Sequence, residues 1–110
     1  MDSDQKYTLL IDTLNLVLLP NKEFGVPYDD LLLNQLEELE GDSYTFLHSA
    51  NIGELVRNEL LNSSVACQIE QIRQEVKDIN RELWNPKDFM FSDEWNEIRT
   101  KVLKLVSELN

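Results

Sequence analysis

The chain has 110 residues, one domain's worth, and can bury roughly two-thirds of the surface that its unfolded form exposes. Its apolar fraction of 42% is that of a globular protein and argues against disorder, while three Gly and three Pro supply too few turns for an all-β fold. The net charge of −11 argues against a direct reader of nucleic acid or of an anionic membrane, because such proteins meet phosphates with Lys and Arg.

In chain order, Ser3 or Asp4 is placed to cap a first helix running to about Leu19. Tyr7, Leu10, Ile11, Leu14 and Leu18 share one face of it, and Pro20 stops it. The end of this run, LNLVLL, also suits a short strand, because its apolar content loses a clear period. NKEFGV (21–26) reads as a loop. Pro27 then opens a second helix, with Asp29 and Asp30 near its positive end, Leu32, Leu36 and Leu39 as its apolar stripe, Leu33 beside them and Gly41 as its C-terminal cap. Residues 43–50 fit either a helical turn or an extended piece. Helical spacing resumes with Ile52, Leu55, Val56 and Leu60, up to the polar boundary Asn62-Ser63-Ser64.

The clearest element follows. Val65, Ile69, Ile72, Val76, Ile79 and Leu83 repeat at heptad spacing until Asn85-Pro86 ends the run. KDFMF (87–91) reads as a loop folded back on the helices. Ser92 caps a last helix with Asp93 and Glu94 in its first turn and Trp95, Ile98, Val102, Leu105 and Leu109 on one face. The expected fold is all-α: a single domain over residues 1–110, built as an antiparallel bundle of four to five helices. The heptad stripe packs inside its own domain or, alternatively, forms a homodimer seam through Ile69, Ile72, Val76 and Ile79.

Few side chains are candidates for chemistry: the chain has one Cys and one His. The lone Cys67 cannot form an internal disulfide, and although it falls off the stripe a buried or half-buried thiol is expected. The acidic start MDSDQK lacks the basic character of a secretion signal, and the run at 9–19 is too short to span a bilayer, so a cytoplasmic protein is expected. His48 has no sequence-level partner as a catalytic base. No Glu-x-x-His pair, calcium loop, Gly-rich phosphate loop or nucleophile elbow occurs. The expectation is a non-enzyme with no cofactor and no metal.

The charge, in contrast, is unevenly placed. Residues 1–60 carry twelve acids against three bases, residues 61–110 nine against seven. From Glu23 to Val56 there are eight acids and no Lys or Arg. Glu37, Glu38, Glu40 and Asp42 lie toward the end of the second helix, where the dipole disfavours negative charge. Rings among acids suit a protein-binding surface, with Tyr28 and Tyr44 as anchors and Asp29, Asp30, Glu37, Glu38, Glu40 and Asp42 steering a basic partner. A purely solubilising face is the plainer alternative.

This short acidic helical chain, ending in the amphipathic FMFSDEWNEIRTKVLKLVSELN (89–110), resembles the small bacterial immunity proteins of colicin-type and contact-dependent-inhibition systems. The resemblance is one of size, charge and helical build. It implies an inhibitor that neutralises a cognate basic toxin, a nuclease above all, by standing where phosphates would sit. A phage-type nucleic-acid mimic that blocks a host defence enzyme rests on the same physics. A helical adaptor or assembly subunit working through the 65–83 stripe is the remaining alternative.

Overall fold

A computed structural model describes residues 2–109. α1 spans Ser3–Asn15 and starts one residue earlier than its spacing predicts. Asp2 is the cap: its carboxylate accepts from the Gln5 N–H at 2.8 Å while the Gln5 side chain accepts from the Asp2 N–H at 3.1 Å. The helix also ends before Leu19. Leu16–Leu18 continue as tight turns, because Gln35 reaches across and donates to the carbonyls of Leu16, at 2.7 Å, and Leu18. LNLVLL is therefore no strand, and the described residues contain none. Residues 19–27 form a loop closed by the Tyr28 hydroxyl, which donates to the Pro20 carbonyl at 2.8 Å.

α2 spans Tyr28–Thr45 and runs through Gly41, which is helix interior and not its cap. Leu32, Leu36, Leu39 and Ser43 face inward. α3 spans Ser49–Arg57, capped by His48, whose Nδ1 accepts from the Ala50 N–H at 3.1 Å. Residues 43–50 thus close one helix and open the next. α3 ends in a Schellman turn. Leu60 donates to the Leu55 carbonyl at 2.9 Å and Glu59 to that of Val56 at 3.1 Å, with Glu59 held at φ 63°.

α4 spans Ser63–Asp78 and is capped by Asn62, whose side chain accepts from the Val65 N–H at 2.8 Å. The heptad stripe outlasts its helix. Ile79 is extended, Asn80 caps a 3-10 turn at Arg81–Leu83, and Ile79 and Leu83 still pack on the core. Ile69, Ile72 and Val76 are at most 2% exposed. These three are spent on the core of the domain, and Ile79 is half-buried against it. Cys67 is exposed, contrary to expectation.

KDFMF is not a loop either. Residues Pro86–Phe91 form the short helix α5, started by Asn85, whose side chain accepts from the Asp88 N–H at 2.9 Å. α6 spans Asp93–Leu109, and its first free N–H groups are met by Ser92, which accepts from Trp95 at 3.3 Å. Trp95, Ile98, Val102 and Leu105 are buried as their spacing requires. The fold is all-helical, with six α-helices among the described residues, α5 being the one that the spacing does not show.

α1 packs on α3 and α6, α4 on the same two, and α2 on α1 and α5. Trp95 sits at the α5–α6 corner, edge-on to Trp84 at 5.1 Å and to Phe89 at 4.9 Å, with its indole N–H donated to the Leu83 carbonyl at 2.9 Å. Arg99 braces the same corner from within. Only 8% exposed, it donates to the carbonyls of Val17 at 3.1 Å and Phe89 at 2.5 Å and to Asn96 Oδ1 at 2.5 Å, and it lies over the Phe89 ring.

Candidate docking surface

α2 carries the candidate site, and its inner face explains how it can. Burying Leu32, Leu36 and Leu39 contributes roughly 1.5–3 kcal/mol each. Repulsion between like charges one helical turn apart costs only a few tenths of a kcal/mol per pair. The helix therefore folds in spite of its acids. Its outer face repeats at 3-4-3-4 through Asp30, Leu33, Glu37, Glu40 and Tyr44, so these five share one stripe. At 1.5 Å per residue the stripe is about 21 Å long. Leu33 is 45% exposed between Asp30 and Glu37, and Tyr44 is 59% exposed at the end of the stripe beyond Glu40.

The eight predicted residues do not form a single patch. Asp29 and Asp30 are exposed in the first turn of α2, where the helix dipole accepts them. Glu37 is exposed on the stripe, while Glu38, also exposed, and Asp42, half-buried, lie together on the opposite flank. Because α2 continues to Thr45, only Asp42 falls in its last turn. The dipole penalty expected for Glu37, Glu38 and Glu40 is thus largely absent. Glu40 is neutralised by Arg81 at 2.9 Å. Tyr28 is half-buried with its hydroxyl committed to the loop, so it shapes the surface rather than projecting from it. Of the eight acids between residues 23 and 56, Glu40 and Glu54 are ion-paired, the latter to Lys6. No other acid of that run has an ion pair among the described residues.

Three features escape the sequence reading. Phe24 stands fully exposed at the tip of the 19–27 loop, beside Gly25, whose φ of 80° suits a residue without a side chain. Its signal was an aromatic in a loop, which spacing arguments pass over. The second is a cleft of about 240 Å³ between α2 and the end of α4, where Tyr44, Arg73, Lys77, Arg81 and Trp84 gather although they are far apart in sequence. Arg81 lies 5.2 Å from the Trp84 ring centre, and its hydrogen bond to Glu40 raises its already high pKa. The third is a groove on the other side of the α4 end, where Glu75, Asp78, Glu94 and Glu97 surround Ile79 and Ile98. The second half of the chain, nearly balanced in number, thus gathers three cations in one cleft and four acids in another groove.

Among the described residues no three His, Cys, Asp or Glu side chains converge as metal ligands, and no helix is long and apolar enough to cross a membrane. No family model, curated protein or solved structure matches the chain.

Proposed function

We propose that this protein is a non-catalytic inhibitor that docks on a basic protein through the outer face of α2. The observation that carries this reading is the stripe in which Leu33 stands exposed between Asp30 and Glu37, carboxylates that have no ion pair among the described residues, with Tyr44 exposed at its far end. Exposed rings and leucines supply the apolar area of an interface core, while unneutralised carboxylates raise the encounter rate with a cationic surface. A basic surface that holds phosphates is the natural complement. In its finer form the proposal is an immunity protein that occludes the active site of a nuclease toxin. The resemblance in size, charge and helical build supports that form.

The test takes a nuclease toxin domain captured by pull-down with this protein and measures its DNA cleavage and its affinity for this protein by calorimetry at several salt concentrations. The wild-type chain is expected to stop cleavage and to bind more weakly as salt rises. The double reversal Asp30→Lys/Glu37→Lys is expected to weaken binding by about tenfold or more and to flatten the salt dependence. Tyr44→Ala is expected to weaken binding with the salt slope unchanged. Unaltered affinity and slope in the double reversal would remove α2 as the docking face.

A further inference from the structure

We propose that the cleft between α2 and the end of α4 is a carboxylate-binding subsite that takes one Asp or Glu side chain of the docked partner. The inference rests on α2 being the docking face, since Glu40 and Tyr44 belong both to its stripe and to the cleft wall.

The charge of the cleft runs against the rest of the molecule. In a chain of net charge −11 with ten Lys and Arg, three of the ten line this one cleft. Arg81 is partly neutralised by Glu40. Arg73 and Lys77 have no ion pair among the described residues. Lys77 complements the negative end of α4, but Arg73 lies more than one turn upstream, beyond the reach of that effect. The cleft therefore holds two cations without an ion pair, and of these Arg73 has no use in the fold itself.

The remaining walls select among anions. Val76 and Ile79 give an apolar floor and Trp84 an aromatic side, which suits the methylene stem of an acidic side chain. A volume of about 240 Å³ lies below the roughly 300–1,000 Å³ of sites that enclose whole small-molecule ligands. The Glu40 carboxylate on the rim opposes a doubly charged phosphate more than a singly charged carboxylate. The occupant that fits is an acidic side chain presented by a larger body. The docking face then has two signs. α2 meets basic groups and the cleft meets an acidic one, which fixes the partner's orientation as uniform charge cannot.

The test has two arms. In the first, the full-length protein is labelled with ¹⁵N, and the Trp84 indole and Arg73 guanidinium signals are followed during addition of acetyl-Ala-Glu-Ala-amide, its Gln counterpart, inorganic phosphate or AMP. The Glu peptide is expected to shift both signals saturably and to bind about tenfold better than the Gln peptide. Arg73→Gln/Lys77→Gln is expected to abolish the shifts, whereas Asp30→Lys/Glu37→Lys leaves them in place. Equal response to the two peptides, or tighter binding of phosphate or AMP than of the Glu peptide, overturns the proposal.

The second arm measures affinity for the basic partner after Arg73→Glu/Lys77→Glu, with helicity checked by circular dichroism and Lys77→Glu alone as the milder variant. A face that works by negative charge alone must bind more tightly when made more negative. The subsite requires the reverse, about tenfold weaker binding. Tighter or unchanged binding overturns it. Failure of the α2 reversals would instead strike the docking reading and leave the peptide result standing, so the two can be told apart.

Discussion

Arg99 shows how much one side chain can decide. In sequence it is one more charge on an amphipathic helix, with nothing to separate it from Lys101 or Lys104. In the fold its fork ties the turn after α1 to the end of α5 through carbonyls that are 82 and 10 residues away in the chain. Burial lowers its pKa, yet a guanidinium stays charged, so those carbonyls and Asn96 take the place of a counter-ion. Arg99→Ala leaves the Val17 and Phe89 carbonyls buried and unmet. It is expected to lower unfolding stability by about 3 kcal/mol or more. Arg99→Lys keeps the charge but not the planar fork and is expected to recover less than half of that loss. Urea denaturation of both variants checks this, and a loss below about 1 kcal/mol in the Ala variant would show the brace to be dispensable. Sequence spacing cannot reveal such a residue, because its partners are backbone atoms on other elements.

At the scale of elements, stripes were legible and ends were not. The buried positions of α2, α4 and α6 follow from spacing alone because one helical face must meet the core. Helix ends depend on who takes the free carbonyls. α1 stops early because Gln35 captures Leu16 and Leu18, a contact that crosses 17 to 19 residues. The heptad run from Val65 misleads in another way. Ile79 and Leu83 keep the phase of the stripe although the chain has left the helix at Asp78, since an apolar residue is needed there on either path. Gly41 separates the two readings of α2. As a left-handed cap it would reject a side chain; as helix interior it carries the entropy cost of glycine for no gain. A Cβ there meets nothing within 4 Å. Gly41→Ala is therefore expected to raise stability by roughly 0.5–1 kcal/mol, read as a higher Tm. A loss of stability would place the end of α2 at Gly41 after all.

At the scale of the whole molecule the ion pairs are few and placed between elements. Lys6–Glu54 joins α1 to α3, Glu75–Lys101 joins α4 to α6, and Glu40–Arg81 joins α2 to the 3-10 turn. The hydrogen bond from Lys6 holds the Glu54 carboxyl below its usual range, so that pair persists into mild acid. The candidate site was legible only in its acidic half, because a run of one sign is visible in sequence. A cation cleft assembled from α4, the 3-10 turn and α2 is not, and neither is the sorting of Glu75, Asp78, Glu94 and Glu97 into one groove. What remains is a net charge of −11 that the fold does not neutralise. Its cost can be separated from its use. Glu38 and Asp42 lie one turn apart on the same flank of α2, and Asp42 also opposes the helix dipole. Glu38→Gln/Asp42→Asn is expected to raise stability by roughly 0.5–1 kcal/mol near 10 mM salt, where the Debye length is about 30 Å. At 1 M salt, with a Debye length of about 3 Å, the gain is expected to vanish. Urea unfolding at the two salt concentrations measures both. A gain at low salt that comes with weaker partner binding marks these acids as kept for recognition against the interest of stability. A variant equal to wild type in stability at both salts would mean that the acids cost the fold nothing, and a solubilising face would then account for Glu38 and Asp42.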